Sequence, residues 1–280
     1  MTIDTHIHFY DPRRPEGVPW PPPDSPLYRP VLPDEFAALA RANGVSGAVV
    51  VEASAWVEDN AWLLDIARSE PLVAGVVGRL DLEAPDFASH LERFAADPAF
   101  RGVRLNAREV TAGMESPLFA ENLARLAGAG LTLDLNVSDE ALDFVLRAAE
   151  ALPDLAIVVD HRGGSTREDG RPAPQTGELF GRLADRPNLF CKLSGFVEAA
   201  ASHHDPVPAD PDHYRPVFDA LLEAMGPRRL LFATNWPVSA RMAPYETVVG
   251  VLDRWIDDQG SATAALIRRE NAVIAYGLPA

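Results

Sequence analysis

The sequence predicts an α/β protein folded as a single (β/α)8 TIM barrel, one domain over residues 1–280. Three observations carry that expectation. Eight short β-rich runs recur along the chain, segments of helical periodicity lie between them, and eight such units in roughly 250 residues is the repeat count of this barrel. Strand and helix alternating throughout imply parallel strands joined by right-handed crossovers. A doubly wound open sheet is the alternative, but no glycine-rich phosphate loop follows the first run.

The strand candidates are, in order, "TIDTHIHF", "SGAVVVEAS", "LVAGVVGRL", "RGVRLN", "LTLDLNV", "LAIVVDH", "NLFCKLS" and "LLFATN". The first helix candidate is "PDEFAALARANG", where Pro33 can open the helix, Phe36, Leu39 and Ala40 share a face, and Gly44 can close it. The others are "DNAWLLDIARSE", "PDFASHLERFAAD", "PLFAENLARLAGAG", "DEALDFVLRAAEALP", "GELFGRLADRP", "DHYRPVFDALLEAMG" and "ETVVGVLDRWIDDQG". One connector stands out. "YDPRRPEGVPWPPPDSPLYRP", after the first strand, is a long proline-rich loop carrying Trp20 and Tyr28, read as a partial lid over a pocket or as a rigid surface excursion.

Composition limits the function classes. With 47% hydrophobic and 24% charged residues the chain is globular, and a formal charge of -16 argues against a nucleic-acid surface, which needs a clustered positive field. Cys191 is the sole cysteine, so no internal disulfide forms and a reducing compartment suits the chain. The opening "MTIDTHIHFY" lacks a basic region followed by a long apolar stretch, and no later segment reaches transmembrane length. A cytoplasmic protein acting on a small molecule, with no membrane partner and possible homo-oligomers, is the expectation.

Strand ends supply the candidate chemistry, because barrel active sites sit at the carboxyl ends of the strands. In "DTHIH", period-two alternation puts Asp4, His6 and His8 on one face, with His8 nearest the end. His161 closes the sixth strand in "VVDHRGG", before a glycine pair that lets the backbone turn closely beneath a ligand. Three of the seven histidines thus end predicted strands. A lone histidine there is more often structural, whereas three converging on one rim point to a shared site.

The other strand ends add polar groups with two readings each. Glu52 ends the second strand in "VVVEAS", beside His6 and His8 and across from Asn235, as a functional carboxylate or as the partner of Arg79 or Arg104. Arg104 ends the fourth strand, where its planar fork can clamp a substrate carboxylate or pair with Glu52 or Asp134; Arg162 is a second candidate. Lys192, the sole lysine, and Ser194 share the inward face of the seventh strand, with Cys191 facing the helices. Lys192 either pairs with an interior acid such as Asp4 or Asp134, the favoured reading, or steadies an oxyanion. The eighth run, "LLFATNWPVS", presents Asn235, with Trp236 expected to wall the pocket and Pro237 to end strand pairing.

In "DTHIHFYDP", "YRPVLPDEFAALARANGV", "GVVGRLDL", "GVRLN", "VVDH", "CKLSG", "LFATNWPV" and "ENAVIAYGL" the sequence resembles the amidohydrolase superfamily, in the lactonase-like branch that includes pyrone-dicarboxylate lactonase and L-fuconolactonase. The resemblance runs end to end. It implies a barrel hydrolase in which His6, His8 and His161 face a carbonyl and an aspartate after the eighth strand activates water. Here the family's Asp-Trp-Pro reads Asn-Trp-Pro, so Asn235 stands in the aspartate's place. An amide offers an acceptor oxygen and two donor hydrogens but takes no proton. Glu52, His161 or a metal-bound hydroxide then takes the proton, or activity is low.

The same residues frame the metal question. His6, His8 and His161 supply three nitrogens, enough for one divalent ion such as zinc, yet members of the branch work without metal, so the resemblance implies no tightly bound cofactor. The function expected is a hydrolase opening a lactone or ester-like bond of a small polar or carboxylated molecule. The alternatives are a catalytically impaired small-molecule-binding descendant, suggested by Asn235, and a metal-dependent decarboxylase.

Overall fold

The computed structural model describes residues 1–14, 18, 20–136, 141–163 and 166–279. Eight parallel strands form one sheet in sequence order: β1 (Thr2–Ile7), β2 (Val45–Val51), β3 (Val73–Gly78), β4 (Phe100–Asn106), β5 (Thr132–Asn136), β6 (Ile157–Val159), β7 (Leu189–Lys192) and β8 (Leu230–Leu231). The ring closes where β1 meets the segment after β8, through Thr5 N to Phe232 O, Asn235 N to His6 O and His8 N to Trp236 O, each 2.9 Å. This is the (β/α)8 barrel the sequence predicts.

The helices are α1 (Pro33–Ala42), α2 (Asp59–Ser69), α3 (Phe87–Ala95), α4 (Ala107–Gly113), α5 (Pro117–Gly128), α6 (Leu142–Ala151), α7 (Pro174–Leu183), α8 (Phe196–Ala200), α9 (Pro211–Met225), α10 (Tyr245–Asp258), α11 (Ser261–Ala265) and α12 (Asn271–Tyr276). Pro33 opens α1 at the position where its missing N–H costs nothing, and Gly44, at φ +69°, follows its end. Asn106 and Glu109 exchange backbone and side-chain hydrogen bonds in a capping box that starts α4 directly from β4. No helix among the described residues is long and apolar enough to cross a membrane.

Alternation sorts the strand residues into two buried sets. Val50, Val76, Val103, Leu133, Val159 and Cys191 face the helices, whereas Ile3, Val49, Val51, Val77, Val158 and Leu231 fill the barrel together with Tyr276 and Leu278 from the C-terminal end. Helix α12 therefore closes the barrel floor. Tyr276 reaches inward to donate a hydrogen bond to Asp134 at 3.0 Å.

One register shift changes the reading of β1. Asp4 pairs with Ala48 but Ile7 pairs with Val50, so an extra residue bulges between them. Asp4 and Ile7 consequently both turn outward, while His6 and His8 turn inward. Asp4 does not share the histidine face. It bonds Thr234 at 2.6 Å and Tyr245 of α10 at 3.1 Å, and burial pushes its carboxyl up to about 6 despite the hydrogen bonds it accepts.

The proline-rich segment is described only in part, since residues 15–17 and 19 lie outside the described set. Its base is tied by reciprocal backbone bonds between Tyr10 and Val31. Trp20 lies over the barrel mouth, 5.7 Å from the His8 ring and 5.4 Å from the Tyr10 ring, whereas Tyr28 is exposed at the surface.

Candidate active site

The carboxyl ends of the strands surround a cleft of about 330 Å³. His8, Glu52, Arg79, Arg104, His161 and Asn235 line it, with Trp20 at the rim and Asn106 and Asn136 on the far wall. Five sequence-predicted site residues thus meet in one cavity.

Backbone strain marks two of them. Among the described residues, His161 (φ 55°) and Asn235 (φ 62°) are the non-glycine residues in the left-handed region, a conformation that costs an ordinary side chain on the order of 1 kcal/mol. Both are held there by neighbours. The Asn235 carbonyl accepts from Ser239 N at 3.0 Å. His161 Nδ1 lies 3.0 Å from Ser194 Oγ, and Gly195 packs so closely that a Cβ there would lie 2.7 Å from the His161 Cβ.

The segment leaving β7 therefore shapes the site twice. Ser194 and Gly195 seat His161, and three residues on, in the first turn of α8, Glu198 accepts a hydrogen bond from Asn235 Nδ2 at 2.7 Å. Glu198 does not emerge from sequence reasoning, because its direction depends on the left-handed turn at Gly195 (φ +80°) that starts α8.

His6 lies deeper than the cleft surface and is fully buried. Its ring is 5.0 Å from that of His8 and 4.6 Å from that of His161. Beneath it sits a charged cluster: Lys192 Nζ lies 2.5 Å from Asp134 Oδ2, 2.9 Å from Asp160 Oδ1 and 3.1 Å from His6 Nδ1. Lys192 is 0% exposed, so it is an interior counter-charge rather than a substrate contact. Its partners are Asp134, as the sequence allows, and Asp160, not Asp4.

Asp160 is the main residue the sequence reading misses. It has the inward parity of Val158 two residues earlier, and besides Lys192 it meets Arg104 Nε at 3.3 Å and His6 Nδ1 at 3.3 Å. Burial pushes its carboxyl up, but the Lys192 charge, the contact with His6 and the Arg104 charge together hold it well below the ordinary carboxylate range. Asp134, sharing the same ammonium, goes the other way, pushed by burial up to about 6.

Both strand-one imidazoles are neutral. Burial and the Lys192 charge lower His6 well below 6.5, and burial with the Arg104 charge lowers His8 to about 3. His8 Nδ1 lies 2.9 Å from the Val51 carbonyl, an acceptor only, so Nδ1 carries the proton and Nε2 is an acceptor. His8 is thus suited to receive a hydrogen bond rather than to polarise a carbonyl.

Glu52 stands at the cleft with both arginines near but not close. Arg79 is 3.5 Å and Arg104 3.8 Å from its Oε1, beyond hydrogen-bond reach. Each arginine has a nearer partner, Glu109 for Arg79 and Asp160 for Arg104. Asn60 fixes Arg79 further by bonding its backbone N–H and carbonyl, both at 2.8 Å. Burial raises the Glu52 carboxyl above the ordinary 4.5, against the pull of Arg104 and Arg79.

Trp236 is not a pocket wall. It neighbours Asn235 and so faces the other side, buried 5.2 Å from the Phe36 ring of α1 and 6.4 Å from Phe9. Val238 lines the cleft near that corner instead. The side chain of Arg162 lies outside the described residues, as does Gly164 of the glycine pair. The group best placed to ligate a metal among the described residues is His6, Asp160 and His161, with donor atoms within 4.8 Å of one another. It replaces the His8 of the expected trio with an aspartate.

Known proteins match this chain along nearly its whole length. The amidohydrolase family model matches residues 3–278. An L-fucono-1,5-lactonase of Burkholderia ambifaria is 31% identical over 258 residues, 91% of this chain and 86% of that protein. A second L-fucono-1,5-lactonase, from Burkholderia multivorans, is 30% identical over 100% of this chain and 97% of its own. A crystal structure of a Burkholderia multivorans amidohydrolase with bound zinc superposes with a TM-score of 0.89 at 29% identity, covering 100% of both chains.

Proposed function

The chain belongs to the amidohydrolase family, and from that premise we propose that it is a lactonase opening a neutral, polyhydroxylated 1,5-lactone derived from a sugar. The observation that carries the substrate class is the charge balance of the cleft. Arg79 is met by Glu109 and Arg104 by Asp160, with Glu52 between them, so among the described side chains that line the cleft no guanidinium is left without a carboxylate to demand an anionic substrate. Asn106, Asn136 and Asn235 offer amides suited to hydroxyl groups. The full-length likeness to two L-fucono-1,5-lactonases supports the same class.

The residues divide the chemistry as follows. Asn235 Oδ1 accepts a hydrogen bond from water and aims it at the carbonyl carbon, and Glu52 takes the water proton as the C–O bond forms. We assign Ser194 Oγ, 3.0 Å from Nδ1 of His161, as the donor in that pair, which puts the imidazole proton on Nε2, where with Arg104 it holds the oxyanion. The ring C–O bond then breaks, and Glu52 returns the proton to the departing ring oxygen to give the hydroxy acid. His8 accepts from a substrate hydroxyl, and His6 positions the two rings it touches.

The donor set also fits a divalent ion. His6 Nε2 is buried with no hydrogen-bond partner among the described residues, beside Asp160 and His161. An ion bound there supplies Lewis acidity and lowers the pKa of a nearby water. Asp160, however, already faces Lys192 and Arg104, so an entering cation meets two fixed positive charges and is held weakly.

One experiment tests both points: dialysis against a chelator, metal analysis, then assay with L-fucono-1,5-lactone and with 2-pyrone-4,6-dicarboxylate. The expected result is loss of metal with most turnover kept, and a kcat/KM for the neutral lactone at least about tenfold above that for the dicarboxylate, an advantage of about 1.4 kcal/mol. Turnover of the dicarboxylate alone would overturn the substrate class. Zinc retained near stoichiometry would overturn the weak-ion reading.

A further inference from the structure

The pair formed by Asn235 and Glu198 carries a conclusion that deepens the lactonase reading and partly rests on it. The Asn235 backbone is pinned at both ends, N–H to the His6 carbonyl at 2.9 Å and carbonyl to Ser239 N at 3.0 Å. What remains is the orientation of the terminal amide. A carboxylate accepts hydrogen bonds and donates none, so the 2.7 Å contact with Glu198 Oε1 turns the nitrogen toward α8 and Oδ1 away from it. Asn235 lines the cleft and Glu198 does not, so the outward oxygen is the acceptor the cleft receives.

We propose that Glu198 is a positioning residue that holds the Asn235 amide with Oδ1 toward the attacking water, and that its carboxylate makes asparagine the residue this site requires at 235. An aspartate there would set two carboxylates at hydrogen-bond separation. Like charges so close cannot both ionise, so one would take a proton or swing out of place. The amide removes that conflict by supplying a donor to Glu198. The amide thus faces the cleft and the carboxylate stands behind it. Exchanging the two groups, by Asn235→Asp together with Glu198→Gln, keeps one donor facing one carboxylate and restores an acid to the cleft.

The test is a double-mutant cycle read by thermal unfolding and by lactone turnover. Asn235→Asp alone is expected to lower Tm by about 3–6 °C at pH 8, and adding Glu198→Gln to recover at least half of that. In turnover, Asn235→Asp is expected to lower kcat about tenfold and the double variant to exceed it about tenfold, a coupled rather than additive pair. Glu198→Ala is expected to lower kcat about tenfold with KM within about twofold, and Glu198→Gln, whose amide oxygen still accepts, to recover most of the loss.

Additive effects in both readouts, or Glu198→Ala with unchanged kcat, would overturn the proposal. Unfolding needs no substrate. A coupled pair in a protein that opens no lactone would therefore defeat the lactonase reading alone, and an additive pair in an active lactonase would defeat this one alone.

Discussion

Replacing Glu52 with glutamine is expected to lower kcat by about 10²–10⁴, the usual contribution of a positioned base, while changing KM little. Glutamine keeps the volume of the side chain and removes its ability to take a proton. The fold should tolerate the change, because Arg79 and Arg104 retain the nearer carboxylates of Glu109 and Asp160. Steady-state kinetics on L-fucono-1,5-lactone, with a melting curve as control, checks it.

The pH profile carries the same claim. Burial raises the Glu52 carboxyl above the ordinary 4.5, and a base works only when deprotonated. Activity should therefore fall as pH drops through a midpoint above that value, and this acidic limb should vanish in Glu52→Gln. A variant within about threefold of wild type would move the proton to His161.

Replacing Lys192 with methionine is expected to cost about 3–5 kcal/mol of stability, since it strands carboxylates that the ammonium neutralises. Asp134 and Asp160 are both completely buried, and Lys192 lies within 2.9 Å of each. For a domain of this size the loss corresponds to a fall in Tm on the order of 10 °C.

The deficit should depend on pH in a definite direction. Without the lysine, the stranded carboxyls have raised pKa values in the folded state, so the folded protein binds more protons than the unfolded one between the two values. Stability then rises as pH falls through that window. Asp134 sits at about 6 even with Lys192 beside it, so the Tm gap between variant and wild type should narrow from pH 8 to pH 5. A constant gap would show that the ammonium acts through packing alone.

The barrel was legible because its signals are local and repeated. Each strand carries its own alternation, and each helix its own periodicity and end signals, as with Pro33 and Gly44 of α1. Non-local geometry was less visible. The bulge in β1 that turns Asp4 away from His6 comes from pairing with β2, and no residue of "DTHIH" announces it.

The site followed the same division. His8, Glu52, Arg104, His161 and Asn235 are legible because each closes a run that the sequence marks as a strand, and all five line the cleft. Asp160 was overshadowed by the adjacent histidine, although counting by twos from Val158 places it inside the barrel. The same count turns Trp236 away from Asn235 and out toward Phe36. Glu198 had no comparable signal, because it reaches Asn235 from a short helix whose direction is set by the turn at Gly195.

The central claim is that this cleft adds water to a lactone carbonyl. Its most direct test is ring opening of L-fucono-1,5-lactone in water enriched in ¹⁸O, measured against the spontaneous rate. The account predicts acceleration well above that rate, with one labelled oxygen in the carboxylate of the product and none in the released ring hydroxyl. Label in the hydroxyl, or ring opening no faster than in buffer alone, would contradict it.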